Sequence, residues 1–508
     1  MAGSGTPGGE DSMTQRPCTI GIATFTDPRD TAFAEQREAH LRERHDALGR
    51  FLADQGFRVA DPMPAGGEGG LFGLRSTRQV EAGAARLRAE GAQCLIVGCW
   101  HWTDPHLVLH MVRELDLPVL LYAEDDPRWA GAVQLSAVGA SLWEAGVNDH
   151  ALTHWRVLGR REEIVPWARG VCALQALRRS TLLLWGGSYC LRMEHLQDDI
   201  PTLKSFLVGD VWTEDAYALI KRADAILAGG GDRVDRFVSW LQEGGVTITR
   251  DDKMLTEQSA RTQAALYLAA RDRLRELDDE PIAGVSVRCQ PELSEDYGCT
   301  ACLLPAFLPF GTDSEGEQPV VPTVCEGDIK GLITCALLGL IEPGVPPLFG
   351  DLKYIGEDML IISNCGGSSV YYAARSNDSK AALPHVTWAA QCQGAAGGAI
   401  GYNGAPGPLT VARLIRIEGE HLMQLGLMRA REITQEVAEK IIWGQTWPHI
   451  AIEHGVQRDL LVRAVGSNHY CALPGDRTAE VEHACREAGI EVLRLDSDDA
   501  LADFIAGL

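Results

Sequence analysis

A chain of 508 residues exceeds what one hydrophobic core ordinarily serves, and 45% hydrophobic with 23% charged residues is the balance of a water-soluble protein of several domains. The net charge of −24, from 46 basic against 70 acidic groups, repels phosphate backbones and anionic lipids, which argues against nucleic acid and membrane surfaces as partners. No apolar run reaches the length of a membrane span; the longest, such as residues 332–341, suit buried elements.

Residues 1–16 are rich in Gly, Ser and Thr and carry no basic, apolar leader, so a disordered tail and a cytoplasmic address are expected. The 14 cysteines then read as reduced thiols, not as a disulfide framework. One Cys-x-x-Cys pair, Cys299 and Cys302, lacks the second pair of a zinc ribbon and reads as buried small residues.

From Cys18 short apolar runs alternate with amphipathic stretches: a strand over 19–25, helices over 33–55 and 80–90, a strand over 94–99, a helix over 107–115 and a strand over 118–122. This rhythm implies a parallel sheet with helices on both faces, over residues 17–175. A second α/β domain is expected over 176–345. It has strands at 181–185, 282–287 and 320–324, and helices at 200–206, 214–223, 233–242, 257–277 and 327–340. The apolar stretch 225–227 before Gly229–Gly231 reads as a strand turning tightly into a helix; the glycines have neither P-loop nor dinucleotide spacing. After Pro343 the grammar changes to short strands, for example 359–363, 409–418 and 460–465, with helix–strand–helix after 477. The fold class expected is therefore α/β: two Rossmann-like doubly wound domains followed by a β-rich, barrel-like domain over 346–508.

Three metal-capable side chains stand in Gly/Cys-rich turns. They are Glu326 in Val324-Cys-Glu-Gly-Asp-Ile-Lys-Gly331, Asp351 in Phe349-Gly-Asp-Leu-Lys353, and His469 in Gly466-Ser-Asn-His-Tyr-Cys471. Taken singly, Glu326 could serve a helix N-terminus, Asp351 a turn, and His469 a hydrogen-bonded core. Taken together, two carboxylates and an imidazole suit a hard divalent cation such as Mn2+, with Mg2+ or Co2+ as alternatives, and leave positions open for a substrate. Asn364-Cys-Gly-Gly-Ser-Ser369 lacks the Gly-x-Ser-x-Gly order of a hydrolase elbow and reads as a substrate-contacting loop.

The order and spacing of these residues, with Asp351 25 residues after Glu326 and His469 118 after that, resemble the L-fucose and L-arabinose isomerase superfamily. Arg288-Cys-Gln-Pro-Glu-Leu-Ser294, Trp447-Pro-His449 and Trp185-Gly-Gly-Ser-Tyr189 resemble further stretches of that family, across residues 180 to 475. The resemblance implies an aldose–ketose isomerase working through a metal-chelated cis-enediolate. Glu326, Asp351 and His469 would be its metal ligands, and Glu326 and Asp351 its acid/base pair. It also implies substrate contacts from Gln290, Asn468, Arg29 and Trp100 or Trp102, no organic cofactor, and a homo-oligomer, a hexamer or related assembly, with sites between subunits.

The chain is shorter than typical fucose isomerases, so the sugar's name does not transfer. An isomerase for a modified, sulfonated or deoxy, hexose is the nearest alternative. A metal-dependent lyase and a non-catalytic sugar-binding module stand further off.

Overall fold

The computed structural model describes residues 18–27, 29, 32–63, 71–146 and 154–507; the tail expected over 1–16 lies outside them. Two compact units divide these residues: 18–175 with Glu482–Glu487, and Ala176–Val481 with residues 488–507.

In the first unit, β1 (Thr19–Thr24), β2 (Arg58–Ala60), β3 (Cys94–Gly98), β4 (Val119–Ala123) and β5 (His154–Leu158) form a parallel sheet in the order β2-β1-β3-β4-β5. Helices Ala34–Asp54, Thr77–Ala89, Pro105–Leu115 and Gly131–Ala145 connect its strands. The strands β1, β3 and β4 are buried at every residue, which is why they read as continuous apolar runs. Cys18 and Cys172 are paired as a disulfide with Cα atoms 6.1 Å apart, which corrects the reading of all cysteines as reduced. Their separation of 154 residues hid a proximity that only the folded sheet creates. The other described cysteines are free, Cys299 and Cys302 among them as buried side chains.

The second unit opens with β6 (Thr181–Trp185) and β7 (Asp210–Glu214), then β8 (Thr247–Thr249), β9 (Ile282–Val287), the hairpin β10 (Thr312–Asp313) and β11 (Gly316–Glu317), and β12 (Thr323–Cys325). Four of these make a parallel sheet in the order β12-β9-β6-β7. The expected strand at 225–227 is instead the last turn of helix Ala216–Ala228. Asp215 caps that helix, and Ala216, Leu219 and Ala223 repeat at helical spacing on its buried face, so the glycines that follow join two helices.

The remaining strands are β13 (Leu348–Ile355), β14 (Met359–Ser363), β15 (Thr387–Ala390), β16 (Gly398–Gly401), β17 (Gly407–Ile417), β18 (Glu420–Arg431), β19 (His449–Glu453), β20 (His469–Pro474) and β21 (Glu491–Arg494). An antiparallel run β17-β20-β13-β14-β19-β18 closes on itself through the long β17–β18 pairing, so six strands form a barrel, with β21 parallel to β18. The mixed α/β fold with parallel sheets and a β-rich C-terminal region is thus the one expected. Of residues 460–465, read as a strand, all but Val465 belong to helix Arg458–Ala464, whose buried Leu461 and Ala464 stand one turn apart. The helix Ile329–Ile341 packs against β9 on one side and β17 and β20 on the other, and its nearly all-round burial explains the apolar run over 332–341.

Candidate functional site

Strand β12 ends at Cys325 and the following helix begins at Ile329, so Glu326, Gly327 and Asp328 make the connection. Glu326 (φ +67°) and Gly327 (φ +68°) are both left-handed, which costs a non-glycine residue about 1–2 kcal/mol. A Cβ at Gly327 would come within 2.5 Å of the Tyr189 backbone nitrogen, so the close approach of the 188–190 segment requires glycine. The kink is pinned by backbone bonds from Glu326 N–H to Val287 O (2.9 Å), Cys190 N–H to Glu326 O (2.9 Å) and Tyr189 N–H to Gly327 O (3.0 Å). Strain held in this way turns a side chain out of the course of the helix, a device that concentrates at functional sites. The helix start is served by Asp328, whose Oδ1 accepts the Gly331 N–H at 2.8 Å.

Asp351 and His469 are direct cross-strand partners on β13 and β20, so the barrel register alone brings them together. His469 is fully buried. Its Nε2 lies 3.4 Å from Glu326 Oε2 and 3.4 Å from Asp351 Oδ1, and it has no hydrogen-bond partner. Its Nδ1 lies 2.8 Å from Asp328 Oδ2. Asp328 also receives a two-pronged guanidinium from Arg413, and both side chains are fully buried. Burial opposes ionisation of Asp328, but Arg413 and His469 outweigh it and hold the carboxyl far below its usual range. An ionised Asp328 only accepts, so Nδ1 carries a hydrogen, and Nε2, whose lone pair is free for a cation once its own proton has left, faces Glu326 and Asp351. When the ring also holds a proton on Nε2, burial disfavours the charge, yet Asp328, Asp351 and Glu326 raise its pKa well above the ordinary imidazole value.

Asn468 donates from Nδ2 to Asp351 Oδ1 (3.0 Å), and its own Oδ1 lies 2.8 Å from His195 Nε2. Gln290 donates to Gln393 Oε1 (2.8 Å), and both line a pocket with Glu326, Cys365 and Gln391. The Cys365 thiol reaches Glu326 Oε1 at 3.5 Å, so the loop after β14 does border the centre. Lys353 donates to the Trp443 carbonyl (2.6 Å) and to His449 Nε2 (3.0 Å). Burial, aided by Lys353, pushes the His449 pKa down to about 4, which keeps that ring a neutral acceptor. Burial also lowers the Lys353 pKa, against the opposing pull of Cys392 and Asp351.

Glu326, Asp351, His469, Asn468 and Gln290 therefore belong to one neighbourhood. The other candidates are in the first unit. Arg29 is exposed and paired with Asp27 (2.7 Å). Trp100 is buried, donates to Thr24 Oγ1 (2.9 Å) and packs edge-on against Tyr122; Trp102 is half-buried. Asp328, Arg413 and Lys353 escaped the sequence reading, whereas Cys365 belongs to the loop that it read as substrate-contacting. For Asp328 a signal existed, since it stands three residues before Gly331 at a helix start and two after Glu326.

Among the described residues, no group of three or more His, Cys, Asp or Glu side chains stands close enough together to hold a metal ion. By donor type, Glu326, Asp351 and His469 are the side chains that would hold a divalent cation here. Neighbouring ligands of an octahedral ion with bonds of about 2.1 Å stand about 3.0 Å apart, so the two 3.4 Å separations close by a few tenths of an ångström. A buried imidazole nitrogen without a partner, oriented by a carboxylate behind it, is the arrangement in which histidines meet metals.

Comparison with known proteins gives one consistent likeness. The chain resembles sulfoquinovose isomerases. That of Alkalicoccus urumqiensis is 21% identical over 282 residues, 54% of this chain and 59% of the relative. Those of Priestia aryabhattai and Priestia megaterium are each 26% identical over 140 residues, 27% of this chain and 28% of theirs. The chain thus spans between a quarter and three-fifths of the relatives it matches. No family model matches it. No helix among the described residues is long and apolar enough to cross a membrane.

Proposed function

We propose that this chain is an aldose–ketose isomerase whose centre is Glu326, Asp351 and His469. The observation that carries this reading is the buried, partnerless Nε2 of His469 between two carboxylates, beside a pocket lined with amides and thiols. Isomerisation of an open-chain sugar moves one proton between C2 and C1 and another between O2 and O1. Its difficulty is the weak acidity of the C–H bond, which a base of fixed position must meet. Glu326, Asp351 and His469 would hold a divalent cation such as Mn2+, which would supply Lewis-acid stabilisation of the negative charge that develops as the proton leaves. Glu326 and Asp351 take up and return the protons. Asp328 fixes the imidazole with its lone pair forward, and Asn468 holds Asp351 in place.

The names of the relatives favour a sulfonated hexose as the substrate class over the neutral sugars of the broader fucose-type reading. The test is a panel of neutral and sulfonated aldoses offered to metal-stripped protein with and without Mn2+, with ketose formation followed by NMR. Mn2+-dependent interconversion of at least one sugar is expected. A sugar that binds without metal and is never converted would leave a binding module in place of the isomerase.

A further inference from the structure

Lys353 follows Asp351 by two residues on β13, at the bulge where the register with β14 shifts between Leu352 and Tyr354. Its ammonium spends two of its three N–H groups on the Trp443 carbonyl and His449 Nε2, and it lies 5.7 Å and 5.4 Å from the ring centres of Trp443 and Trp447. Among the described residues, no carboxylate oxygen stands within 4.0 Å of Lys353. The other cations near the centre are matched: Arg413 by Asp328, Arg288 by Glu292, and Lys330 by Asp198 at 3.8 Å. His449, which accepts from Lys353, brings no negative charge.

The wall that holds Lys353 continues to the centre. Trp447 donates from Nε1 to Gln391 Oε1 (2.6 Å), and Gln391 lines the same pocket as Glu326 and Gln290. One end of this wall is the pair of carboxylates and the imidazole; the other is a half-buried cation with a spare donor and no counter-ion. A substrate whose hydroxyl end met Glu326 and Asp351 and whose other end followed this wall would meet the unmatched charge.

We propose that Lys353 anchors an anionic group, a sulfonate or a phosphate, on the distal carbon of the sugar, and so sets the enzyme's preference for charged over neutral substrates. This rests on the isomerase reading. The free N–H of Nζ donates to one anion oxygen, and the anion supplies the charge that the fold withholds. Tryptophan and histidine hold the ammonium in place without neutralising it, which a merely structural lysine would not require.

The test compares wild type with Lys353→Met and Lys353→Arg on three hexoses that differ at C6: sulfonated, phosphorylated and uncharged 6-deoxy. Each is read by kcat/KM and, independently of turnover, by calorimetric binding. Removing a charge-assisted hydrogen bond lowers the preference for the anionic sugar about ten- to a hundredfold. The expected result is that K353M loses this factor in the ratio of anionic to uncharged sugar, in KM more than in kcat, while K353R keeps most of it. The sulfonated and phosphorylated arms tell which anion is taken. An unchanged ratio in folded K353M, or equal losses on all three sugars, overturns the assignment. If wild type converts none of them, the isomerase reading fails, and the binding ratio still decides the role of Lys353.

Discussion

Replacing Asp328 by Asn is the sharpest perturbation of the centre, because it changes one atom behind His469 and leaves the shape intact. In the native protein Oδ1 accepts from Gly331 N–H (2.8 Å) and Arg413 Nη2 (3.1 Å), while Oδ2 accepts from Arg413 Nη1 and from His469 Nδ1 (2.8 Å). Asparagine keeps the first oxygen, and with it the helix cap, but turns the second into an NH2 group. That group meets two donors. The imidazole can relieve the conflict only by accepting at Nδ1, which moves its hydrogen to Nε2 and points it at Glu326 and Asp351. The lone pair offered to a cation is then lost. Loss of such an orienting carboxylate costs about 10- to 100-fold in metal affinity. Arg413, fully buried, keeps its charge without a counter-ion, and breaking a buried pair in this way costs about 3–5 kcal/mol of stability. Calorimetric titration with Mn2+, urea unfolding and 15N NMR of the imidazole read the three effects separately. A folded D328N protein that binds Mn2+ within twofold of wild type, with the His469 tautomer unchanged, would refute the reasoning.

Two further outcomes are expected. Because the carboxylates hold the His469 pKa above its ordinary value of 6.5, a cation must displace a proton from Nε2 at neutral pH, and Mn2+ affinity should rise about tenfold per pH unit until that pKa is passed. The metal-free protein shows the opposite sign: the stability that His469 contributes is fully present below the unfolded value and is lost as pH rises through the folded one. Titrations between pH 5 and about pH 8 check the slope, and a pH-independent affinity would remove His469 from the ligand set. Gly327→Ala should destabilise by about 2 kcal/mol or more, since its Cβ meets the Tyr189 backbone in a left-handed turn. Gly344→Ala, also left-handed but with open space around it, should cost about 1 kcal/mol; equal costs in urea melts would show that the approach of the 188–190 segment does not matter.

Much of the fold was legible because the central parallel strands β1, β3, β4, β6 and β9 are buried on both faces. Runs such as 181–185 and 282–287 are buried at every residue and apolar but for Thr181 and Ser286, and no competing period disturbs them. The errors fall where local pattern is weak. A short helix such as Arg458–Ala464 and a short strand carry too few residues for a period to show, and 225–227 looks like a strand only when cut from the helix that contains it. At the site, Glu326, Asp351 and His469 could be named from residue type together with the resemblance of their order and spacing to the fucose and arabinose isomerases. Their setting could not. Asp351 read as a turn residue and His469 as a loop residue, whereas they face each other across paired strands, a register that no local stretch encodes. Arg413 reaches Asp328 from β17, 85 residues away, and its burial is invisible until the barrel closes. Lys353 is in plain view in the sequence, but its lack of a counter-ion is a property of the folded wall alone.

The central claim is that one centre of two carboxylates and an imidazole interconverts aldose and ketose. Its most direct test is NMR of a sulfonated hexose in D2O with metal-loaded wild-type protein and with Glu326→Gln. The account expects wild type to form the ketose with deuterium entering at C1 or C2, and E326Q to bind the sugar but to lose turnover by about 10^3-fold or more. Conversion by E326Q at near-normal rate would contradict it.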